Sequence, residues 1–339
     1  MNQLLLPISK WAAGITLSAA ALTSTASAQI SPQIEWSFKD SNLIGAISTV
    51  DFSPNGQFVA YAGEFTRYIQ VRRVSDGALL RTFSGSASMG VVSAEFAPNG
   101  TQLGATWSIT GWTLAILGGA ETFGAASTGA ILTTNDHDDF VTDLAWSPNS
   151  QQLLTSSLEG KADLVDANTG ALIFQVDHGS AINCVAFSPN GLYFATGGIF
   201  GDVSIWDAST GLMVSSITGH LSSISDLEFH PDNIHLATGG GDALVDSDVH
   251  LWNYLTGVQV NSHTLHTEGI TGLAFFSSGN LMMSSDLSGT IRVSQTFGPA
   301  EITTIDLGHG PRVAALDLHE GAQRYAYGTN DGWIVMARR

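Results

Sequence analysis

The sequence predicts an all-β repeat protein, and three observations in register with one another carry that prediction. A turn phrase recurs seven times along the 339 residues. A histidine stands nine residues ahead of it in five of the seven copies. A short alternating strand, ending in tryptophan in its clearest copies, closes each unit.

Five copies of the turn phrase are close: Asp51-Phe52-Ser53-Pro54-Asn55-Gly56, Glu95-Phe96-Ala97-Pro98-Asn99-Gly100, Ala145-Trp146-Ser147-Pro148-Asn149-Ser150, Ala186-Phe187-Ser188-Pro189-Asn190-Gly191 and Glu228-Phe229-His230-Pro231-Asp232-Asn233. Two weaker copies follow at Phe275-Phe276-Ser277-Ser278-Gly279 and Leu318-His319-Glu320-Gly321. Counted at the proline position they are spaced by 44, 50, 41, 42, 46 and 43 residues. Pro presets φ and Gly supplies a positive φ, so the phrase is turn chemistry. Apolar and β-branched runs flank each turn and no helix-length amphipathic stretch intervenes, which reads as strand–turn–strand repeated.

The histidines are His137, His178, His220, His266 and His309, and apolar residues recur four and seven positions after each. The closing strands are clearest in Val203-Ser204-Ile205-Trp206-Asp207 and Val249-His250-Leu251-Trp252-Asn253, each followed by a Thr-Gly turn.

These residues resemble the WD-repeat (WD40) family, over residues 34–339. The resemblance implies seven blades of four antiparallel strands in a β-propeller. It also implies, in each blade, a hydrogen-bonded tetrad of His, Ser/Thr, Asp and Trp. Repeat 5 matches at all four places with His220, Thr238, Asp246 and Trp252. Repeat 4 keeps His178, Thr196 and Trp206 but has Phe200 where the acid is expected. Repeat 3 keeps His137 and Thr155, with Glu159 and Val165 at the other places. His266 and Ser284 stand for repeat 6, and His309 and Asp331 for repeat 7. Repeat bounds fall near 45–86, 87–136, 137–177, 178–219, 220–265, 266–308 and 309–339. Repeat 2 carries an insertion at 118–126, and repeat 5 a smaller one between its second and third strands. The last repeat supplies three strands, and Ile34-Glu35-Trp36-Ser37-Phe38 supplies a spare one. With 34–44 completing repeat 7, the ring closes and its exposed strand edges disappear. Ile34, Trp36 and Phe38 are expected to share one face.

The first 28 residues read as a secretory leader: Lys10, an uncharged apolar run at 11–22, then Ala26-Ser27-Ala28. The apolar run is short for a membrane span, which needs about 20 residues. The mature chain is then 29–339, secreted or periplasmic. The whole chain carries 12 basic and 30 acidic residues; without Lys10 the net charge moves from −18 to −19. Such acidity argues against nucleic acid and anionic membrane surfaces as partners. The single Cys184 sits in an apolar strand and reads as a buried thiol.

No catalytic residue, cofactor or metal ligand is assigned. The five tetrad histidines fall one per blade and cannot converge on an ion that wants ligands about 2 Å away. His263 and His266 would point to opposite faces of a strand. Asp242, Asp246 and Asp248, like Asp136, Asp138 and Asp139, lack calcium-loop order and read as turn caps. Known hydrolase, zinc and dinucleotide motifs are missing. The expected role is binding, by a monomer, of another protein or peptide on the face that carries the histidine turns. The residues singled out there are Phe65, Asp139, Phe140, Leu221, Glu268, Arg312 and Trp333. A calcium-dependent propeller hydrolase or lactonase with a channel site is the alternative, and a rigid envelope component the third reading.

Overall fold

Pro-Asn-Gly sets the local geometry on which the rest is built. In the computed structural model Gly56, Gly100, Gly191 and Gly279 take φ of 64–70°. Where the glycine is replaced, Ser150 and Asn233 adopt the same left-handed conformation, at φ of 59° and 58°. Asn tolerates it through local hydrogen bonding. The residues described are 28–29, 33–42, 45–84, 90–107, 114–118, 137, 139–242, 244–264, 266–298, 301–306, 312–319 and 323–338. The leader call, most of the repeat 2 insertion and His309 fall outside them.

Seven antiparallel sheets follow one another along the chain. Their first strands are Ile47–Phe52, Val91–Phe96, Val141–Trp146, Ile182–Phe187, Ile224–Phe229, Ile270–Phe275 and Val313–His319. Each first strand packs beside the next, and Val313–His319 packs beside Ile47–Phe52, so the sheets stand around a ring with these strands innermost. The architecture is an all-β propeller of four-stranded antiparallel blades. Six sheets have four antiparallel strands; the sheet of Val91–Phe96, Gln102–Trp107 and Leu114–Gly118 shows three among the described residues. Ala28–Gln29 adds in parallel to Glu301–Asp306, the outer strand of the sixth sheet.

Burial follows position in the blade. Second strands such as Gln152–Ser157 and Tyr193–Gly198 are buried on both faces between neighbouring blades, whereas the outer strand Met213–Thr218 is exposed on one. Apolar clusters join adjacent blades: Ile205 and Ile217 of the fourth pack with Ile224, Leu227 and Leu236 of the fifth. Burial of this kind yields about 25 cal/mol per Å² of apolar surface. Among the described residues no helix is long and apolar enough to cross a membrane.

Gln33–Lys39 pairs antiparallel with Trp333–Arg338 at the outer edge of the seventh sheet. Trp36 donates from Nε1 to the Val74 carbonyl at 2.7 Å, and the Arg72 guanidinium lies 3.6 Å over the Phe38 ring. Ile34 departs from the expected alternation. A register shift falls between Ile34 and Trp36, so Ile34 turns outward to solvent while Trp36 and Phe38 pack onto the first blade. A bulge inserts an extra residue and resets the face presented.

Candidate functional site

Within each blade the first strand runs from the histidine turn to the Pro-Asn-Gly turn. The histidine turns and the second-to-third-strand turns therefore share one face, here the upper face.

In repeat 5 the four matched residues meet. Trp252 Nε1 donates to Thr238 Oγ1 at 2.8 Å. The hydroxyl proton is thereby directed to His220 Nε2 at 2.7 Å, which leaves Nδ1–H for Asp246 Oδ2 at 2.7 Å. The Leu221 amide also donates to Asp246 Oδ2, at 2.8 Å. Burial works to raise the Asp246 pKa, yet its interaction with His220 and the amide bonds it accepts hold it below the usual carboxylate range. The network pins the upper turn to the strands beneath it, and all its members are buried.

Repeat 4 builds the same link with a different acid. Trp206 and His178 both bond Thr196, at 3.0 and 2.8 Å, and His178 Nε2 lies 3.1 Å from Asp202 Oδ2. Asp202, two residues beyond Phe200, reaches back into the place the sequence left empty. Gly198 makes room for this, because a Cβ there would lie 2.4–2.9 Å from Asp202 Oδ1, His178 Nε2 and Ser180 Oγ. In repeat 6 His266 bonds Ser284 at 2.7 Å and Asp286 at 2.8 Å. In repeat 3 His137 bonds Thr155 at 2.7 Å, with Glu159 3.6 Å from Nδ1. In repeat 7 Thr329 donates to Asp331 at 2.8 Å. Repeat 1 substitutes a cluster without histidine: Tyr61 and Tyr68 both donate to Asp40, and Arg72 donates to Gln70.

A model of the "WD domain, G-beta repeat" matches residues 257–293, and one of "Eukaryotic translation initiation factor eIF2A" matches residues 125–267. Among solved structures, the chain is similar to one in "Crystal Structure of Mitotic Checkpoint Complex". The two share 22% identity over 98% of this chain and 99% of that one, with a TM-score of 0.80. The chain has the fold of a WD40-repeat β-propeller. No curated protein matches it. WD40 propellers are typically protein-interaction scaffolds and usually not enzymes.

Around the axis of the propeller, every first strand carries the same irregularity. Its pairing register shifts after the first residue, at Ile47/Thr49, Val91/Ser93, Val141/Asp143, Ile182/Cys184, Ile224/Asp226, Ile270/Gly272 and Val313/Ala315. The bulge turns two successive residues inward, and these line a central cavity of about 320 Å³. Asp143 and Asp226 are among them, and Cys184 is buried there. Two residues further along the strands come Asp51, Glu95, Glu228 and Asp317.

Most of these acids reach across to the next blade. Phe96 N donates to Asp51, Val185 N to Asp143, Leu273 N to Asp226 and Phe52 N to Asp317, at 2.6–3.0 Å. Burial raises all six pKa values, with mutual repulsion adding to it at several. Asp143 is pushed up to about 6, Asp226 to about 7 and Glu228 to about 8. Asp51 and Glu95 lie well above the usual range and Asp317 is raised. Burial thus favours the protonated form of these acids, and the amide bonds they accept make them staples between blades.

The upper face is apolar at several blade tips. Phe65 is 62% exposed, Phe200 75%, Leu221 78% and Leu244 96%, and Phe140 and Leu158 pair through a backbone bond at 2.9 Å. The other residues singled out in the sequence divide. Arg312 is exposed; Asp139, Glu268 and Trp333 are half-buried. Lys39 covers the Trp333 ring at 5.8 Å, so Trp333 is partly packed rather than free. Phe200 and Leu244 were missed. Phe200 stood at an acid position, where a large apolar side chain with no core to enter was the available signal.

Proposed function

We propose that the chain is an exported seven-bladed propeller that binds a protein or peptide partner on its upper face. The observation that carries this is the run of exposed Phe65, Phe140, Phe200, Leu221 and Leu244 on turns of one face. Large apolar side chains clustered on rigid turns are the usual anchors of an interface. The blades beneath are braced internally by tetrads and joined to one another by acid staples, so the turns are held in place before binding and little ordering entropy is lost. The seven sheets support seven blades. The leader at 1–28 supports export, with Gln29 as the mature N-terminus and a soluble monomer as the product. An acidic surface supports a partner with basic or neutral character around an apolar contact.

The test is capture of partners from the exported fraction by wild type and by a Phe200→Asp/Leu221→Asp variant with unchanged circular dichroism. A protein retained by wild type and lost by the variant is the expected result. Equal capture by both would remove the upper face as the binding surface.

A further inference from the structure

On the opposite face, the turn of repeat 5 departs from its counterparts at three positions at once. The serine after the first strand, as in Ser53, Ser147 and Ser188, is His230. The asparagine two residues on is Asp232. The residue that opens the second strand is His235. In the ordinary copies serine Oγ donates to asparagine Oδ1 at 2.8 Å and so holds the turn. In repeat 5 an imidazole and a carboxylate take those places, a second imidazole faces them, and their ligand atoms all lie within 4.8 Å of one another.

The tautomer of His230 is set by the next blade. Its Nε2 donates to the Gly279 carbonyl at 2.7 Å, and its Nδ1 faces Asp232, 2.9 Å from Oδ1 and 3.1 Å from the amide. His235 Nδ1 lies 2.7 Å from Asp232 Oδ2. Phe275 and Phe297 wall the cluster, with ring centroids 4.8–5.2 Å from the two imidazoles. An internal control exists in repeat 7. His319 occupies the position of His230 and reaches the Pro54 carbonyl of its neighbour at 3.3 Å. Yet Gly321 and Arg324 follow it where Asp232 and His235 stand in repeat 5. Packing on the neighbouring turn thus accounts for the histidine but not for the acid or the second imidazole.

We propose that His230, Asp232 and His235 bind a divalent transition-metal ion of the zinc class. Two imidazoles and one carboxylate form a zinc donor set, and an Nε2–H bonded to a carbonyl is the usual outer support of a metal-bound imidazole. Metal–ligand bonds of about 2.0–2.2 Å place tetrahedral ligand atoms roughly 3.3 Å apart, so each His–Asp pair, now at 2.7–2.9 Å, opens by a few tenths of an ångström while the two imidazoles, within 4.8 Å, settle about the ion. His235 binds through Nδ1 by moving its proton to Nε2, and a water completes the shell. A single carboxylate is too few for calcium. The other His–Asp–His group, His220, Asp246 and His250, is not a rival: the His220–Asp246 and His220–Thr238 bonds are buried links that hold the blade together, and the His220 ring stacks on His250 at 4.3 Å.

The test uses the full chain stripped with EDTA at pH 7.5, titrated with Zn²⁺ by calorimetry and with Co²⁺ by visible absorption. One equivalent of Zn²⁺ is expected, with tetrahedral Co²⁺ bands. Asp232→Asn and His235→Gln, at an exposed and a half-buried position and so tolerated by the fold, each weaken binding at least tenfold. His250→Gln binds as wild type does. Absence of Zn²⁺ binding, wild-type affinity in both turn variants, or loss of binding in His250→Gln would overturn the proposal.

Discussion

Replacing Glu228 with Gln should make the protein more stable, and increasingly so as the pH rises from 5 to 8. Glu228 sits in the ring of channel acids, with Asp226, Asp317 and Glu95 as its charged neighbours. Burial, then the charges of Asp226 and Asp317, raise it from 4.5 to about 8. A carboxyl raised in the folded state holds its proton where the unfolded chain has lost it. Its contribution to stability is therefore full below the unfolded pKa and is lost as pH climbs toward the folded one. At about 1.4 kcal/mol per unit the shift bounds the loss near 5 kcal/mol; water in the channel and sharing of the charge bring it to roughly 2–3 kcal/mol. Gln keeps the shape without the charge, so the variant should gain roughly 3–5 °C over wild type at pH 8 relative to pH 5. Melting followed by circular dichroism at several pH values reads this. His178, His250 and His263, whose burial lowers their pKa values, work in the opposite sense below pH 6.5, but they act equally in both proteins and cancel in the difference. Parallel curves for variant and wild type from pH 5 to 8 would refute the buried, protonated Glu228.

Two further outcomes follow from the packing. Thr238→Val leaves Trp252 Nε1 and His220 Nε2 without their shared oxygen, and each orphaned group costs about 1–3 kcal/mol; urea unfolding should show a loss of roughly 2–4 kcal/mol, and a loss under 0.5 kcal/mol would mean the tetrad does not hold the blade. Deleting 29–40 removes the strand that pairs with Trp333–Arg338 and takes Trp36 and Phe38 from the first blade. Full burial of such a side chain is worth about 1.5–3 kcal/mol and these two are half-buried, so together with the lost strand pairing the truncated chain should melt well below the full one, and unchanged melting would make that segment a linker.

What the sequence made legible was whatever lies at a fixed offset within one repeat. His220, Thr238, Asp246 and Trp252 could be aligned because their spacing belongs to the hairpins themselves. Asp202 and Asp286 were missed because a carboxylate can enter the same network from a turn position displaced by two residues. The channel acids were illegible for a different reason. They come from strands some 45 residues apart, and the bulge that turns Asp143 and Asp226 inward leaves no mark in an apolar pattern. The same device misplaced Ile34. His230, Asp232 and His235 were read as a variant turn phrase, because only folding brings the start of the second strand back over the turn.

The central claim, a partner held on the upper face, is tested most directly by site-specific photocrosslinking in the source cells. A benzophenone side chain is placed at Phe65, Phe200 or Leu244, and as comparison at Leu212 or Leu255, which are also exposed, on turns of the opposite face. The account predicts one adduct of common mass from the three upper positions and none from the lower two. An adduct from the lower positions alone, or none from any, would contradict it.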